Sequence, residues 1–470
     1  MTEKKLMNKA VSGAHDLRSD LLWALKQFKY LVYFFAPEVI LSVTSVIYFA
    51  RNSLLSSPLY IAVFALFLLI GIVVKAAALS YGTGLTGDSL TLAVIAFFTA
   101  MTELGVFFQL YIRTLTNNEI KKLVILASGA ALLCAVLVFR ALPALHGKLT
   151  EAEPVKKVTG RLKASRERDP GWYWFSTGML LLFAGVFMLG ISATVFRSRF
   201  GMQLKLIETA KFVAVLSIAA LETAPKKNSR GAARFVLCNP AFVVMVLTMG
   251  ALLLTGEFGT LMILLLFLEI SLLLTRRFRL AAGIAAAAFL GGLCIYLLAP
   301  ENSHVYQRLF NITALEQVNL VREELSERTY IWPNPNRYDV YIGGELATRC
   351  EDFSFLNMLT VFGKLAAVII LAAYLALTLI PAVRLSGSRG SSFTASAGFY
   401  GVVMLLSSCT VHCMANVAAY FFTGVGLPFV SDGITNLIYS VIYLCLTALS
   451  LSRRKENIYE TDQEAGAVLS

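Results

Sequence analysis

Glu208 and Lys211 lie three residues apart within a largely apolar run, 204–221. In a helix that spacing puts them on one face. Ionisable groups inside hydrocarbon are costly and usually face the interior of a helix bundle. The pair therefore reads either as an ion pair that locks two helices or as part of a site for an ionic substrate. Cys409, His412 and Cys413 can also share a helix face, which thiolate and imidazole ligation of a metal would need. The same three residues fit a buried small-residue interface with one polar side chain. Glu38, Lys75, Glu103, Glu269 and Lys364 are further charges in or at the ends of apolar runs, and Glu103 lies deepest.

The elements that must position these residues are membrane helices. The chain has 470 residues, of which 57% are hydrophobic and 15% charged; soluble domains carry about a quarter charged residues. Its mean hydropathy is +0.70. Apolar runs near twenty residues recur at 30–49, 58–80, 89–112, 121–143, 172–196, 204–221, 240–255, 258–275, 280–298, 358–380, 396–421 and 433–451. At about 1.5 Å per residue each can cross a hydrocarbon core of roughly 30 Å. Backbone groups in lipid must bond within their own segment, so the runs predict an all-α, polytopic membrane protein of about twelve transmembrane helices. Alternating strands of a membrane barrel are absent from the pattern.

Residues 1–29 read as a surface-lying amphipathic helix rather than a cleavable signal peptide. The helices at 30–112 and 113–143 precede a basic linker, 144–171, which ends in Arg168-Asp169-Pro170-Gly171. A transmembrane core, 172–298, a long loop, 299–357, the last helices, 358–452, and a tail, 453–470, follow. Net charge is +12. The Lys and Arg residues collect in the linker, in 226–234, in 276–279 and in 453–455, on one side of the expected topology. By the positive-inside rule this predicts cytoplasmic termini and a topological use of the charge, which argues against a nucleic-acid partner. Glu257 and two glycines interrupt the run 236–275 and predict a turn at 255–260. Loop 299–357 holds nine acids and five arginines but no lysine; a loop of that length is usually functional. Of the seven cysteines only Cys350 lies in it, so no disulfide framework is expected there.

Several motifs, in order from about 120 to 452, resemble the SEDS family (shape, elongation, division and sporulation; relatives of FtsW, RodA and SpoVE). Glu257, Gly259 and Thr260 hold the acid, glycine and threonine places of a Gln-Pro-Asp-Leu-Gly-Thr motif. Glu351-Asp352-Phe353-Ser354-Phe355 resembles Thr-Asp-Phe-Ile-Phe. Thr423-Gly424-Val425-Gly426-Leu427-Pro428-Phe429-Val430-Ser431 resembles Thr-Gly-x-x-Leu-Pro-Phe-x-Ser, with Asn416 seven residues before its threonine. Gln203, Glu208 and Lys211 resemble a Gln-Pro-Ser-Glu-x-x-Lys stretch, and Arg199-Phe200 an upstream Arg-Trp. His412 stands where the family commonly has Gln. Family members typically have ten spans, so the resemblance implies two added at the N-terminus here.

The resemblance implies a peptidoglycan glycosyltransferase of the bacterial plasma membrane. Such a protein polymerises lipid II, an undecaprenyl-diphosphate-linked disaccharide pentapeptide, and pairs with a class B penicillin-binding transpeptidase. It implies Arg199, Glu208, Lys211, Asp352, Asn416 and Ser431 as substrate-binding residues among membrane lipid. It requires no cofactor; a divalent cation at the lipid diphosphate is the one addition left open. The family's outer-loop Trp-x-Asp-Pro matches Trp332-Pro333-Asn334-Pro335, and the amide of Asn334 cannot act as a base. Asp339 is the substitute candidate, then Glu316. Two other readings stand beside this one: a SEDS scaffold without catalysis that regulates a transpeptidase, and a lipid-linked sugar flippase. The flippase would call for inverted internal repeats, of which the sequence shows no trace.

Overall fold

The computed structural model describes residues 89–112, 162–195, 200–225, 231–255, 257–300, 316–327, 329–332, 352–417, 425–431 and 435–451, with isolated positions between them. These residues are almost all helical and include no β-strand. In chain order the helices are α1 (Ser89–Ile112), α2 (Pro170–Thr194), α3 (Phe200–Thr223), α4 (Ala232–Cys238), α5 (Pro240–Thr255), α6 (Phe258–Leu274), α7 (Phe278–Leu298), α8 (Glu316–Glu327), α9 (Ser354–Val361), α10 (Gly363–Ser386), α11 (Phe393–Asn416) and α12 (Thr435–Leu451). Among the described residues four helices are long and apolar enough to cross a membrane, or five if the bent pair α4–α5 counts as one span. The expected spans 30–49, 58–80 and 121–143 lie outside the described residues, apart from isolated positions.

Local chemistry accounts for the boundaries. Asp169 caps α2, its carboxylate accepting from Trp172 N at 3.0 Å, with Pro170 at the first helical position, where its missing N–H costs nothing. The linker's last residues are thus a helix start. Asn239-Pro240 bends α4 against α5 by 97°; a proline disfavours helix at the residue before it. The short helix α4 was not expected from the sequence. The interruption predicted at 255–260 falls where α5 ends and α6 begins.

The span expected at 358–380 is displaced to Gly363–Ser386. Residues 354–361 form the separate helix α9, which ends where Gly363 adopts φ +84°. Glycine takes this left-handed conformation at little cost, and it closes a helix. Only Gly363-Lys364 marks the break within an otherwise apolar run, so average hydropathy does not reveal it.

α11 is the centre of the bundle. It packs against α3, α6, α9 and α10, and 83% of its spanning window is buried, against 28% for α2 and for α10. It is also the least apolar of the four spans. Its contact with α12 depends on Gly398, where a Cβ would lie 2.7 Å from the Leu446 carbonyl oxygen and closer still to Ser450. α2 and α3 likewise meet at Gly178, whose carbonyl accepts from Ser217 Oγ at 2.7 Å. Small residues permit such approach between membrane helices.

Replacing Gly398 by Ala forces α11 and α12 apart. Overpacking of this kind costs about 1–3 kcal/mol, and the variant is expected to show a lower Tm than the parent in the same detergent.

Candidate functional site

α3 carries the ionic pair. Lys211 Nζ lies 2.5 Å from Glu208 Oε1, with Lys211 buried and Glu208 partly exposed. The helix spacing places both on one face, as their sequence separation requires. Between them, Thr209 Oγ1 and the Tyr439 hydroxyl of α12 share a hydrogen bond at 2.6 Å. Phe212 packs on the rings of Tyr439 and Tyr443. The residues next to the pair, Thr209 and Phe212, thus hold this part of α3 against α12.

A second group of polar residues ties together α9, the end of α11 and the turn at 425–431. Asn416 Oδ1 accepts from Leu356 N at 3.0 Å, and its Nδ2 donates to Asp352 O at 2.9 Å and His412 O at 3.0 Å. His412 Nε2 accepts from Phe355 N at 3.3 Å, and its Nδ1 lies 2.5 Å from Val425 O. A carbonyl can only accept, so Nδ1 carries the proton and Nε2 is the acceptor. Two of the N–H groups that open α9, which have no partner within their own helix, are thereby satisfied by side chains of α11. Ser431 Oγ accepts from Leu427 N at 2.6 Å and pairs with Ser354 Oγ at 2.7 Å.

The Leu427-Pro428-Phe429-Val430 segment is a tight turn. Val430 N donates to Leu427 O at 3.2 Å, Pro428 stands second, and Phe429 is left-handed at φ +70°. That is the pattern of a type II turn, whose third place normally takes glycine. Phe429 occupies it while stacked on Phe98 of α1, with centroids 4.6 Å apart. Asn436, at the start of α12, donates to Leu427 O at 3.2 Å. Three residues separate Asn436 from Tyr439, a rise of about 4.5 Å. The ionic pair and this polar network consequently sit at the same end of the bundle.

Of the site residues expected from the sequence, Glu208, Lys211, Asp352, Asn416 and Ser431 gather at that end. Asn416 and Ser431 are buried, and their side chains bond to the protein's own backbone and to Ser354. Asp352 is partly exposed, and its carbonyl is held by Asn416. Glu316 opens α8, which packs on α9 through Val321, Phe353 and Leu356. Arg199 and Asp339 lie outside the described residues. Both ring nitrogens of His412 are occupied, so it is a strut between α9 and the turn. Among the described residues no group of three His, Cys, Asp or Glu side chains could hold a metal ion. Glu103 is fully enclosed within α1.

A cluster at the opposite end was not foreseen. Glu222, fourteen residues beyond Glu208 and so about 21 Å along α3, has a buried carboxylate. Its Oε1 lies 3.0 Å from Arg277 in the α6–α7 turn, and its Oε2 lies 3.6 Å from Arg389 in the α10–α11 turn. Gly390, at φ +79°, brings its backbone against the Glu222 carbonyl. One carboxylate thus ties three helix ends. In the sequence Arg277 is indistinguishable from its basic neighbours, whose charge reads as topological.

No family model and no curated protein matches the chain. A solved chain from a peptidoglycan synthase complex, described as coordinating polymerization and crosslinking, matches with TM-score 0.51 at 17% identity. The match covers 77% of this chain and 97% of that one. The two share a fold.

Two outcomes are expected. Glu222→Ala leaves two guanidiniums, 19% and 18% exposed, without their counter-charge; because they retain some solvent, the loss falls at or below the low end of the about 3–5 kcal/mol for a broken buried pair, read as a fall in Tm. Asn416→Ala strands Leu356 N, at about 1–3 kcal/mol, and speeds hydrogen exchange in α9 ahead of α3.

Proposed function

We propose that the protein is a SEDS-type glycosyltransferase of the bacterial plasma membrane, acting in cell-wall peptidoglycan synthesis during growth, division or sporulation. Its substrate is lipid II, and its partner is a class B penicillin-binding transpeptidase. The observation that carries the reading is the Glu208–Lys211 pair, partly buried on α3 at the same end of the bundle as the Asp352–Asn416–Ser431 network. The shared fold with a chain of a peptidoglycan synthase complex supports it, as does the order of the motifs.

The reaction is a displacement at a sugar carbon. An acceptor hydroxyl oxygen forms the new glycosidic bond, and the bond to the lipid diphosphate breaks, with its electron pair leaving on the phosphate. Asp339 takes the acceptor's proton, with Glu316 the second choice; a carboxylate suits this role. Lys211 and Arg199 stabilise the departing diphosphate, as fixed cations do where negative charge develops. Glu208 holds the Lys211 ammonium in position. Asp352 contributes to substrate orientation, while Asn416 and Ser431 hold α9 and the 425–431 turn so that the groups above them keep their spacing. A divalent cation at the diphosphate would add to the same charge stabilisation.

Asn334 favours a second reading, a scaffold that regulates the transpeptidase without catalysis. Lipid II polymerisation by the purified protein, alone and with its transpeptidase, separates the two. Under the enzyme reading Asp339→Ala abolishes polymer formation and leaves Tm unchanged, and Lys211→Met lowers the rate by at least about tenfold, which corresponds to about 1.4 kcal/mol of lost charge stabilisation. Normal polymerisation by Asp339→Ala protein removes the base assignment; absence of polymer from the parent in both settings favours the scaffold.

A further inference from the structure

Residues 329–332 are held against the start of a membrane-spanning helix. The Tyr330 carbonyl accepts from Lys364 N at 2.7 Å, and the Ile331 carbonyl accepts from Leu365 N at 3.2 Å. Both donors are in the first turn of α10, so this stretch of loop 299–357 lies at the depth where α10 enters the bilayer. The other side of the segment is equally fixed. Thr329 Oγ1 donates to Leu325 O and the Tyr330 hydroxyl to Glu327 O, closing the end of α8. α8 in turn buries Val321 against Phe353 and Leu356.

From this position two large apolar side chains face outward. Ile331 is 64% exposed and Trp332 67% exposed. They adjoin the outward face of α10, where Leu365, Val368 and Ile369 are also exposed; on a spanning helix that face meets acyl chains. Lys364, at the same level, is exposed and suits a lipid phosphate. Tryptophan favours the headgroup boundary, where its ring is in apolar surroundings and its N–H remains wet.

We propose that Tyr330, Ile331 and Trp332 form a lipid anchor: Ile331 and Trp332 insert at the boundary between headgroups and acyl chains and hold loop 299–357 at that depth. The anchor goes beyond the enzymatic reading and requires only that α10 spans the bilayer. Its consequence for catalysis rests on that reading. Asp339 is seven residues beyond Trp332, and seven extended residues reach at most about 25 Å. The proposed base is therefore tethered within reach of a lipid-linked diphosphate at the same surface.

The test uses the full chain in phospholipid vesicles. Subtracting the emission of the Trp332→Phe variant from that of the parent isolates the Trp332 signal from those of Trp23, Trp172 and Trp174, which both proteins share. That signal is expected to be blue-shifted, largely lost in lipids brominated on the upper acyl carbons, and largely retained in aqueous iodide. A red-shifted signal quenched by iodide overturns the anchor, and so does a signal quenched by neither, which would mean protein covers the indole. Lipid II polymerisation is read on the same samples: polymer without bromine quenching removes the anchor alone, and quenching without polymer from the parent removes the enzyme reading alone.

Discussion

Within a bilayer a polar group has only other protein groups to bond with, and α11 is the means by which this bundle meets that condition. Its central position lets it carry serine, threonine, histidine and asparagine where a lipid-facing helix could not. Ser407 and Thr410 return their hydroxyls to carbonyls one turn back, at 2.8 and 2.9 Å. His412 and Asn416 reach sideways and satisfy α9. The exposed spans show the reverse pattern, with α2 and α7 presenting Leu180, Phe183, Phe187, Phe289 and Leu297 outward. The protein is therefore most polar where it is most enclosed, as expected when the surrounding solvent is hydrocarbon.

That inversion explains what the sequence made legible. Apolar run length located α1, α2, α3, α5, α6, α7, α11 and α12 to within a few residues, because the bilayer imposes a length on any helix that crosses it. The same signal missed the break at Gly363 and the short helix α4, since a turn inside an apolar stretch does not interrupt hydropathy. The i, i+3 spacing of Glu208 and Lys211 was enough to pair them. Nothing local could connect Glu222 with Arg277 and Arg389, which are separated by 55 and 167 positions and brought together only by the packing of α3, α6, α10 and α11.

The motif residues illustrate the same limit. Asn416, Asp352 and Ser431 stand in recognisable places, yet their types fit ligand contact and structural bonding equally well. Their hydrogen-bond partners show a structural part: Asn416 uses both ends of its amide on backbone, and Ser431 closes the turn that Pro428 and Phe429 begin. The left-handed Phe429 is the kind of local conflict that a surrounding structure must hold in place, here by stacking on Phe98 and by four bonds to Leu427. The two ends of the bundle thus have different characters. One is fastened by a single carboxylate and two guanidiniums, the other by neutral donors and acceptors, with one ionic pair at the same end.

The strut at position 412 sets a rule for what can replace it. Its imidazole behaves as a connector with one donating and one accepting terminus, separated by the width of the ring. A glutamine amide is a connector of the same polarity and nearly the same reach, so glutamine could take the place that His412 holds here. Asparagine would fall short of one terminus, and glutamate would offer acceptors at both, leaving the Val425 carbonyl facing an oxygen. Exchange between an aromatic base and a flexible amide, chemically distant on any substitution scale, is conservative at this position because the two share a hydrogen-bond signature.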